Sequence, residues 1–235
     1  MLGYMSKVAT SDRPAAQNTR ALKAVFRTLT SESCPKAYNF HMHSVCSDGR
    51  LQPENIMEQA IALGLKGLAI TDHHSADGYR RAQRWLDEWH QSVPDAPAPY
   101  LWTGVEINAD LIGTEVHILG YGYNPDRAEM QPYLQGEKVK GEAFRAEQVI
   151  AAIQAAGGLA VLAHPARYRR SICDLIPAAA ARGIDGAEAY YAYNNPDPWH
   201  PSPEQTVWVK RLNAQYGLFD TCGTDTHGLS LLRRM

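Results

Sequence analysis

Residues 38–43 read Tyr38-Asn39-Phe40-His41-Met42-His43, a short strand-like run that carries two histidines two positions apart. On a strand, positions i and i+2 point to one face, so both imidazoles can meet one ligand. Three later segments repeat the plan of an apolar strand ending on a histidine: 67–73 (GLAITDH), 158–164 (GLAVLAH) and 217–227 (GLFDTCGTDTH). Further strands are expected over 100–109, 115–122 and 183–192. Between most of them lie helix patterns with punctuation. Pro53 opens one, with Ile56, Ala60 and Leu63 on its face and Gly64 after it. Ala146, Val149, Ile150 and Ile153 mark another, stopped by Gly157-Gly158. Ser171 with Asp174 resembles a capping box ahead of Leu175, Ile176 and Ala179. Ser202, Pro203 and Gln205 open the last, and Gly217 closes it. Trp85, Leu86 and Trp89 have helical spacing and read as packing against the strands.

Strands alternating with helices predict βαβ units around a parallel sheet. The link from Asp110 to Thr114 is too short for a crossover, so 100–109 and 115–122 are expected as an antiparallel hairpin. Seven strands fit a closed or nearly closed barrel, and no GxGxxG or P-loop follows any of them. The fold class is therefore α/β, with residues 37–235 as one domain. Residues 1–36 form an N-terminal extension, frayed over 1–18. Leu22, Val25, Phe26 and Leu29 define a short helix within 19–30.

The 235 residues suffice for a sizeable core, and 45% hydrophobic with 20% charged residues argues against a disordered chain. Lys plus Arg number 23 and Asp plus Glu 25, for a net charge of −2, so no global basic field exists to hold long duplex nucleic acid. No apolar run approaches the ~18–20 residues of a membrane span, and the N-terminus lacks a signal-peptide pattern. Cys34, Cys46, Cys173 and Cys222 are widely spaced without a CxxC. They read as reduced thiols of a cytoplasmic protein.

The histidines are the most informative residues. His41, His43, His73, His164 and His227 fall at the C-terminal ends of expected strands, where barrel active sites are built. His117 starts its strand, but the hairpin returns it to the same layer. Glu106 sits inside the apolar run Gly104-Val105-Glu106-Ile107, where a carboxylate is costly unless paired or bound to a cation. Asp48 lies in the turn Ser47-Asp48-Gly49, and Asp225 and His227 form another i, i+2 pair. Asp72 beside His73 is positioned to orient that imidazole. Taken singly, each is equally an incidental core or turn residue. Together, nine metal-capable groups in or just past six strands define a metal centre. His90 and His200 fall outside these motifs and are expected at the surface.

With these residues in view, the chain resembles the PHP (polymerase and histidinol phosphatase) family. The matching motifs are His41-Met42-His43 with Ser47-Asp48-Gly49, Thr71-Asp72-His73, Gly104-Val105-Glu106, Glu115-Val116-His117, Ala163-His164-Pro165 and Gly223-Thr224-Asp225-Thr226-His227. The resemblance implies a distorted (β/α)7 barrel holding two or three divalent ions of Zn, Mn or Fe type. It implies that His41, His43, Glu106 and Asp225 hold one ion. Glu106, His117 and His164 would hold a second, and Asp48, His73 and His227 a third. His74 follows His73 where Asn or Asp is more usual, so either histidine could serve. Among these residues His41, His43, Glu106, Asp225 and His227 are the expected catalytic group.

Within the family, the run from Gly158 to Tyr168 and the run from Gly183 to Tyr191 look most like a bacterial subgroup of stand-alone enzymes. Those enzymes act on 3',5'-bisphosphorylated nucleotides or trim short RNA from the 5' end. That subgroup often carries an extra subdomain between the positions of His117 and His164. Here the gap is 164 − 117 = 47 residues, room for little beyond one helix. The implied reaction is phosphoester hydrolysis by a metal-activated hydroxide, on a phosphorylated small molecule, nucleotide or short RNA. Three such ions against three carboxylates leave about +3, which suits a phosphate ester. Arg167 and Arg169, with Arg170, could grip a second phosphate, or could form a solvated basic loop. Tyr168, Tyr190 and Tyr191 could flank a base or simply pack, and His74 is a further substrate-binding candidate. Histidinol-phosphate hydrolysis, an amidohydrolase-like reaction and a non-catalytic, metal-stabilised regulatory barrel are the competing readings.

Overall fold

The computed structural model describes residues 15–235, so most of the segment expected to be frayed, positions 1–14, lies outside the described residues. Residues 15–18 are packed instead of frayed. Ala15–Gln17 forms a single 3-10 turn, Ala16 is buried, and its carbonyl accepts from Thr103 N at 3.1 Å. Asn18 then caps helix α1 (Thr19–Phe26), its Oδ1 accepting from Ala21 N at 3.0 Å and satisfying one of the helix's free N–H groups. Leu22 and Phe26 are buried on the inner face, and Phe26 meets Phe40 and Tyr121 edge-on.

Strands and helices then alternate: β1 (Tyr38–Asn39), α2 (Pro53–Ala62), β2 (Gly67–Ala69), α3 (Asp77–Ser92), β3 (Tyr100–Trp102), β4 (Gly104–Leu111), β5 (Thr114–Tyr121), α4 (Ala146–Ala155), β6 (Leu159–Leu162), α5 (Ile172–Ala180), β7 (Gly186–Tyr190), α6 (Pro203–Tyr216) and β8 (Phe219–Cys222). This is an α/β fold. β1, β2 and β3 make a parallel three-stranded sheet, and β4 to β8 make a five-stranded sheet in sequence order.

Two details differ from the sequence expectation. The single strand expected over 100–109 breaks at Thr103, whose N–H goes to Ala16 O and whose hydroxyl donates to Tyr123 O at 2.7 Å. Those bonds take Thr103 out of the ladder, so β3 pairs with β2 and β4 with β5. The hairpin of β4 and β5 is antiparallel, turning through Ile112-Gly113, both at positive φ, as a two-residue turn requires. The second difference is that β6 also runs antiparallel to β5. A single reversed strand opposes both of its neighbours, so the hairpin produces two antiparallel ladders in an otherwise parallel set.

Backbone hydrogen bonds join the two sheets on both sides. Phe40 N donates to Cys222 O at 3.1 Å, Asp225 N to His41 O at 2.8 Å and His43 N to Thr226 O at 2.9 Å. On the other side Glu106 N donates to Asp72 O at 3.2 Å and His74 N to Glu106 O at 3.0 Å. A large apolar cluster joins α1, α4 and α5 to the five-stranded sheet, and a smaller one packs α2 and α3 on β2 through Ile56, Met57, Leu68 and Leu86. Each such fully buried aliphatic side chain contributes about 1.5–3 kcal/mol. Trp85 and Trp89 pack against the smaller cluster. Among the described residues, no helix is long and apolar enough to cross a membrane.

Candidate metal centre

The strand ends bring their polar side chains to one place. His41 and His43 leave β1 fully buried, their backbones bonded to the segment that follows β8. That approach depends on Gly223, where an added Cβ would sit 2.1 Å from the Cβ of His41. The turn carrying Asp48 depends on Gly49 in the same way, since a Cβ there would meet the His43 carbonyl oxygen at 2.2 Å. Three residues around the centre, His74, His164 and Asp225, hold positive φ of 51°, 28° and 55°. Such backbone is costly for residues other than glycine and persists only where the surroundings enforce it.

Glu106, 1% exposed, is the hub. Its Oε2 lies 3.1 Å from Nε2 of both His41 and His43 and 3.6 Å from His73 Nε2. Its Oε1 lies 2.7 Å from His117 Nδ1 and 3.3 Å from His164 Nε2. Asp225 Oδ1 approaches His41 Nε2 at 3.4 Å, His43 Nε2 at 3.2 Å and His227 Nδ1 at 3.5 Å. Asp48 reaches His43 Nδ1 at 3.4 Å, His227 Nε2 at 3.2 Å and His73 Nε2 at 3.8 Å.

These atoms form three groups with the mutual spacing a cation needs: His41, His43, Glu106 and Asp225; His43, Asp48, His73 and His227; and His73, Glu106 and His117. The donor chemistry fits divalent metal, being imidazole and carboxylate throughout. One atom makes the case directly. His43 Nε2 is buried, lies between two carboxylate oxygens and hydrogen-bonds to neither, so it is aimed at the space between them. A buried imidazole nitrogen left without a partner is costly unless something else meets it.

The electrostatics agree. Burial alone would raise the Glu106 carboxyl, but His41 and His117 outweigh it and hold it well below the usual range. Asp225 is likewise held low against its burial by His41 and His43. Burial pushes the His41 and His43 imidazoles down, yet Glu106 and Asp225, with Glu188 for His41, more than reverse this. His41 ends well above its ordinary value and His43 at about 9. His73 is dominated by burial and falls to about 4, and His164 is also lowered by burial. Without a cation, then, protons on His41 and His43 neutralise the buried acids.

The grouping departs from the assignment implied by resemblance in two respects. His164 touches Glu106 but stands outside the trio with His117, where His73 takes a place. His43 faces Asp48 as well as Glu106. His73, not His74, enters the cluster, because positive φ turns the His74 ring aside to Asn108 Oδ1, 3.0 Å from its Nε2. Asp72 does not orient His73. Its two oxygens accept from Ser44 N and Ser44 Oγ, both at 2.7 Å, and from Ser47 Oγ at 2.8 Å, so it shapes the turn that presents Asp48.

The substrate-binding candidates separate. Arg167 donates through Nη1 to Asp225 Oδ2 at 3.1 Å, at the rim of the centre. Tyr168 lies against His164, and its hydroxyl accepts from His117 N at 2.7 Å, which fixes the tyrosine as support for that strand end. Arg169 is exposed, and Arg170 bonds to Thr114 Oγ1 at 3.0 Å on the hairpin. Tyr190 and Tyr191 are buried, and Tyr191 donates to Asp225 Oδ2 at 2.7 Å. His90 and His200 are exposed. Sequence reading overlooked Glu188, fully buried on β7, which lies 3.1 Å from His41 Nδ1 and accepts from His164 N at 2.9 Å. The signal that flagged Glu106, an acid inside an apolar strand, was present there too, in Gly186-Ala187-Glu188-Ala189. Arg234, which donates through Nε to Asp225 Oδ2 at 2.8 Å, lies in no motif.

The family model described as PHP domain matches residues 39–200, and the chain belongs to that family. Among curated proteins, it is 32% identical over 107 residues to a 5'-3' exoribonuclease of Haemophilus influenzae, covering 46% of this chain and 36% of that one. It is 32% identical over 119 residues to a 3',5'-nucleoside bisphosphate phosphatase of Chromobacterium violaceum, covering 51% and 39%. The matched regions therefore span well under half the length of these two relatives. Among solved structures, a protein of Bifidobacterium adolescentis assigned as a metal-dependent phosphoesterase superposes with a TM-score of 0.65 at 25% identity, over 83% of this chain and 88% of that one.

Proposed function

We propose that this protein is a metal-dependent phosphoesterase acting on nucleotides or short RNA. The observation that carries the reading is the convergence of five imidazoles on the single buried carboxylate of Glu106. His41, His43, Glu106 and Asp225 would hold one ion. Glu106, His117 and His164, with His73 close by, would hold a second, and Asp48, His73 and His227 a third. When bound, such ions polarise the phosphoryl group and activate water at neutral pH. This chain's own groups do the rest. Glu188 and Glu106 fix the His41 ring from opposite sides, and Asp72 holds the Asp48 turn. Arg167 at the rim meets phosphate oxygens. His74 is buried and turned toward Asn108, and Arg169 is exposed, so neither is assigned a role at the reacting atoms.

The substrate class rests on the names of the two relatives above, a 5'-3' exoribonuclease and a 3',5'-nucleoside bisphosphate phosphatase. The backbone bonds that join the two sheets on both sides support a closed, distorted (β/α)7 barrel, with β3 and β4 as one bent strand. Four unpaired cysteines suit a reducing, cytoplasmic setting. The test is a screen of protein loaded separately with Zn, Mn or Fe against nucleoside bisphosphates, 5'-phosphorylated oligoribonucleotides, histidinol phosphate and aryl phosphates. Phosphate or nucleotide release that disappears with chelator is expected; no release from any of them under any metal overturns the reading.

A further inference from the structure

Asp225 divides the centre into two sides. Its Oδ1 faces the imidazoles, while its Oδ2 accepts from Arg234 Nε at 2.8 Å, Arg167 Nη1 at 3.1 Å and Tyr191 OH at 2.7 Å. Two guanidiniums share that one oxygen, so the far side of Asp225 keeps an excess of positive charge. Each guanidinium carries five N–H donors. Among the described residues, Arg234 bonds only through Nε, and Arg167 adds only a 3.4 Å bond from Nη1 to Tyr191 OH. The remaining donors have no partner among the described residues. The side chains are 21% and 39% exposed, so a ligand can reach them.

Arg234 is held there by the packing of residues 228–235. Leu231 is fully buried in the cluster under α2 and α3, and Gln59 bonds to Leu229 O at 3.0 Å and to Leu231 N at 3.1 Å. Asn39 Nδ2 donates to Leu231 O at 3.3 Å, and Thr226 Oγ1 donates to Arg233 O at 2.9 Å. His227 N donates to the Arg234 carbonyl at 2.6 Å. The segment is thus pinned at both ends beside the centre.

We infer that Arg234 and Arg167 form a paired guanidinium site for the non-reacting phosphoryl group of the substrate, with Arg234 setting the preference for substrates that carry two phosphates. The inference rests on the phosphoesterase reading. The imidazole side of Asp225 receives the reacting group, and the guanidinium side, one carboxylate away, receives the second. Planar forks of N–H donors match phosphate oxygens in pairs.

The test uses Mn-loaded protein and two measurements. Calorimetry compares binding of adenosine 3',5'-bisphosphate with adenosine 5'-monophosphate, and kinetics compares kcat/KM for the bisphosphate with that for an aryl monophosphate. A 5'-phosphorylated and a 5'-hydroxyl dinucleotide distinguish an RNA end from a mononucleotide as the source of the second phosphate. Wild type is expected to prefer the doubly phosphorylated ligand. Arg234→Gln should cut that preference at least about tenfold, through KM, with Arg234→Lys in between. An equal loss of kcat on both substrates with the ratio unchanged would reduce Arg234 to a positioning residue for Asp225 and overturn the inference. So would wild-type protein that binds the two nucleotides equally. Preferential binding without turnover would remove the phosphoesterase reading and leave the anion site standing. Arg167→Gln, read by the same ratio, serves if the Arg234 variants fail to fold.

Discussion

At the scale of single residues, the centre is held by atoms that differ in what their loss removes. His43 meets both Glu106 and Asp225, and Asp225 is the acid that separates imidazoles from guanidiniums. Replacing either with alanine removes a donor and leaves buried charge behind, so His43→Ala and Asp225→Ala should lower turnover by at least about a hundredfold. Metal content per chain, measured by elemental analysis, should fall in the same variants; full metal content and full rates would contradict the assignment. Glu188 acts one step back. It accepts from His164 N and lies beside His41 Nδ1, so it sets the ring that must present Nε2 inward. Glu188→Gln keeps the shape and removes the charge, and should weaken metal affinity by about 10–100-fold. A competition titration with a chromogenic chelator reads this directly, and an unchanged affinity would show that backbone bonds alone orient His41.

At the scale of elements, helix α1 and the Asp48 turn are the informative cases. The division at residue 36 treats the N-terminal segment as an extension. Yet Leu22 and Phe26 belong to the same apolar cluster as Phe40, Tyr121 and the five-stranded sheet. Leu22→Ala should therefore destabilise the protein by about 2–5 kcal/mol in denaturant titration. A change under about 0.5 kcal/mol, the range of surface substitutions, would mark α1 as a detachable appendage. Gly49→Ala places a Cβ on the His43 carbonyl and should displace Asp48, lowering both melting temperature and metal affinity. The sequence made most elements legible through apolar runs and their punctuation, including the helix marked by Leu22, Val25, Phe26 and Leu29, the Pro53 start and the hairpin, but not the Asn18 cap, which falls in the segment expected to be frayed. It hid the break at Thr103, because hydrogen bonds to Ala16 and Tyr123, distant in sequence, cause it. It showed which histidines gather at strand ends, but the His73 and His74 choice depended on a positive φ that adjacency does not reveal. Arg234 was invisible because residues 228–235 have no periodicity, and only Leu231 burying itself against α2 brings the arginine home.

At the scale of the whole molecule, the centre is a store of opposed charge that must be neutralised by protons or by metal. In metal-free protein, burial favours neutral His41 and His43, but Glu106 and Asp225 prevail, and His43 reaches about 9 from an ordinary 6.5. A histidine raised on folding gives its full stabilisation below its unfolded value and loses it as pH rises through its folded value. Metal-free protein should thus lose on the order of 3 kcal/mol between pH ~6.5 and pH ~9 from this group. Metal-loaded protein behaves in the opposite sense, since each bound ion displaces those protons and affinity grows as they are removed more easily. The fall in melting temperature on adding chelator should therefore widen from pH 6.5 to pH 9. Calorimetric scans at both values, with and without chelator, measure it. A gap that is constant or narrows with pH would mean that protons and cations do not compete for His41 and His43, and the cluster would then be a network of buried ion pairs whose stability needs no metal.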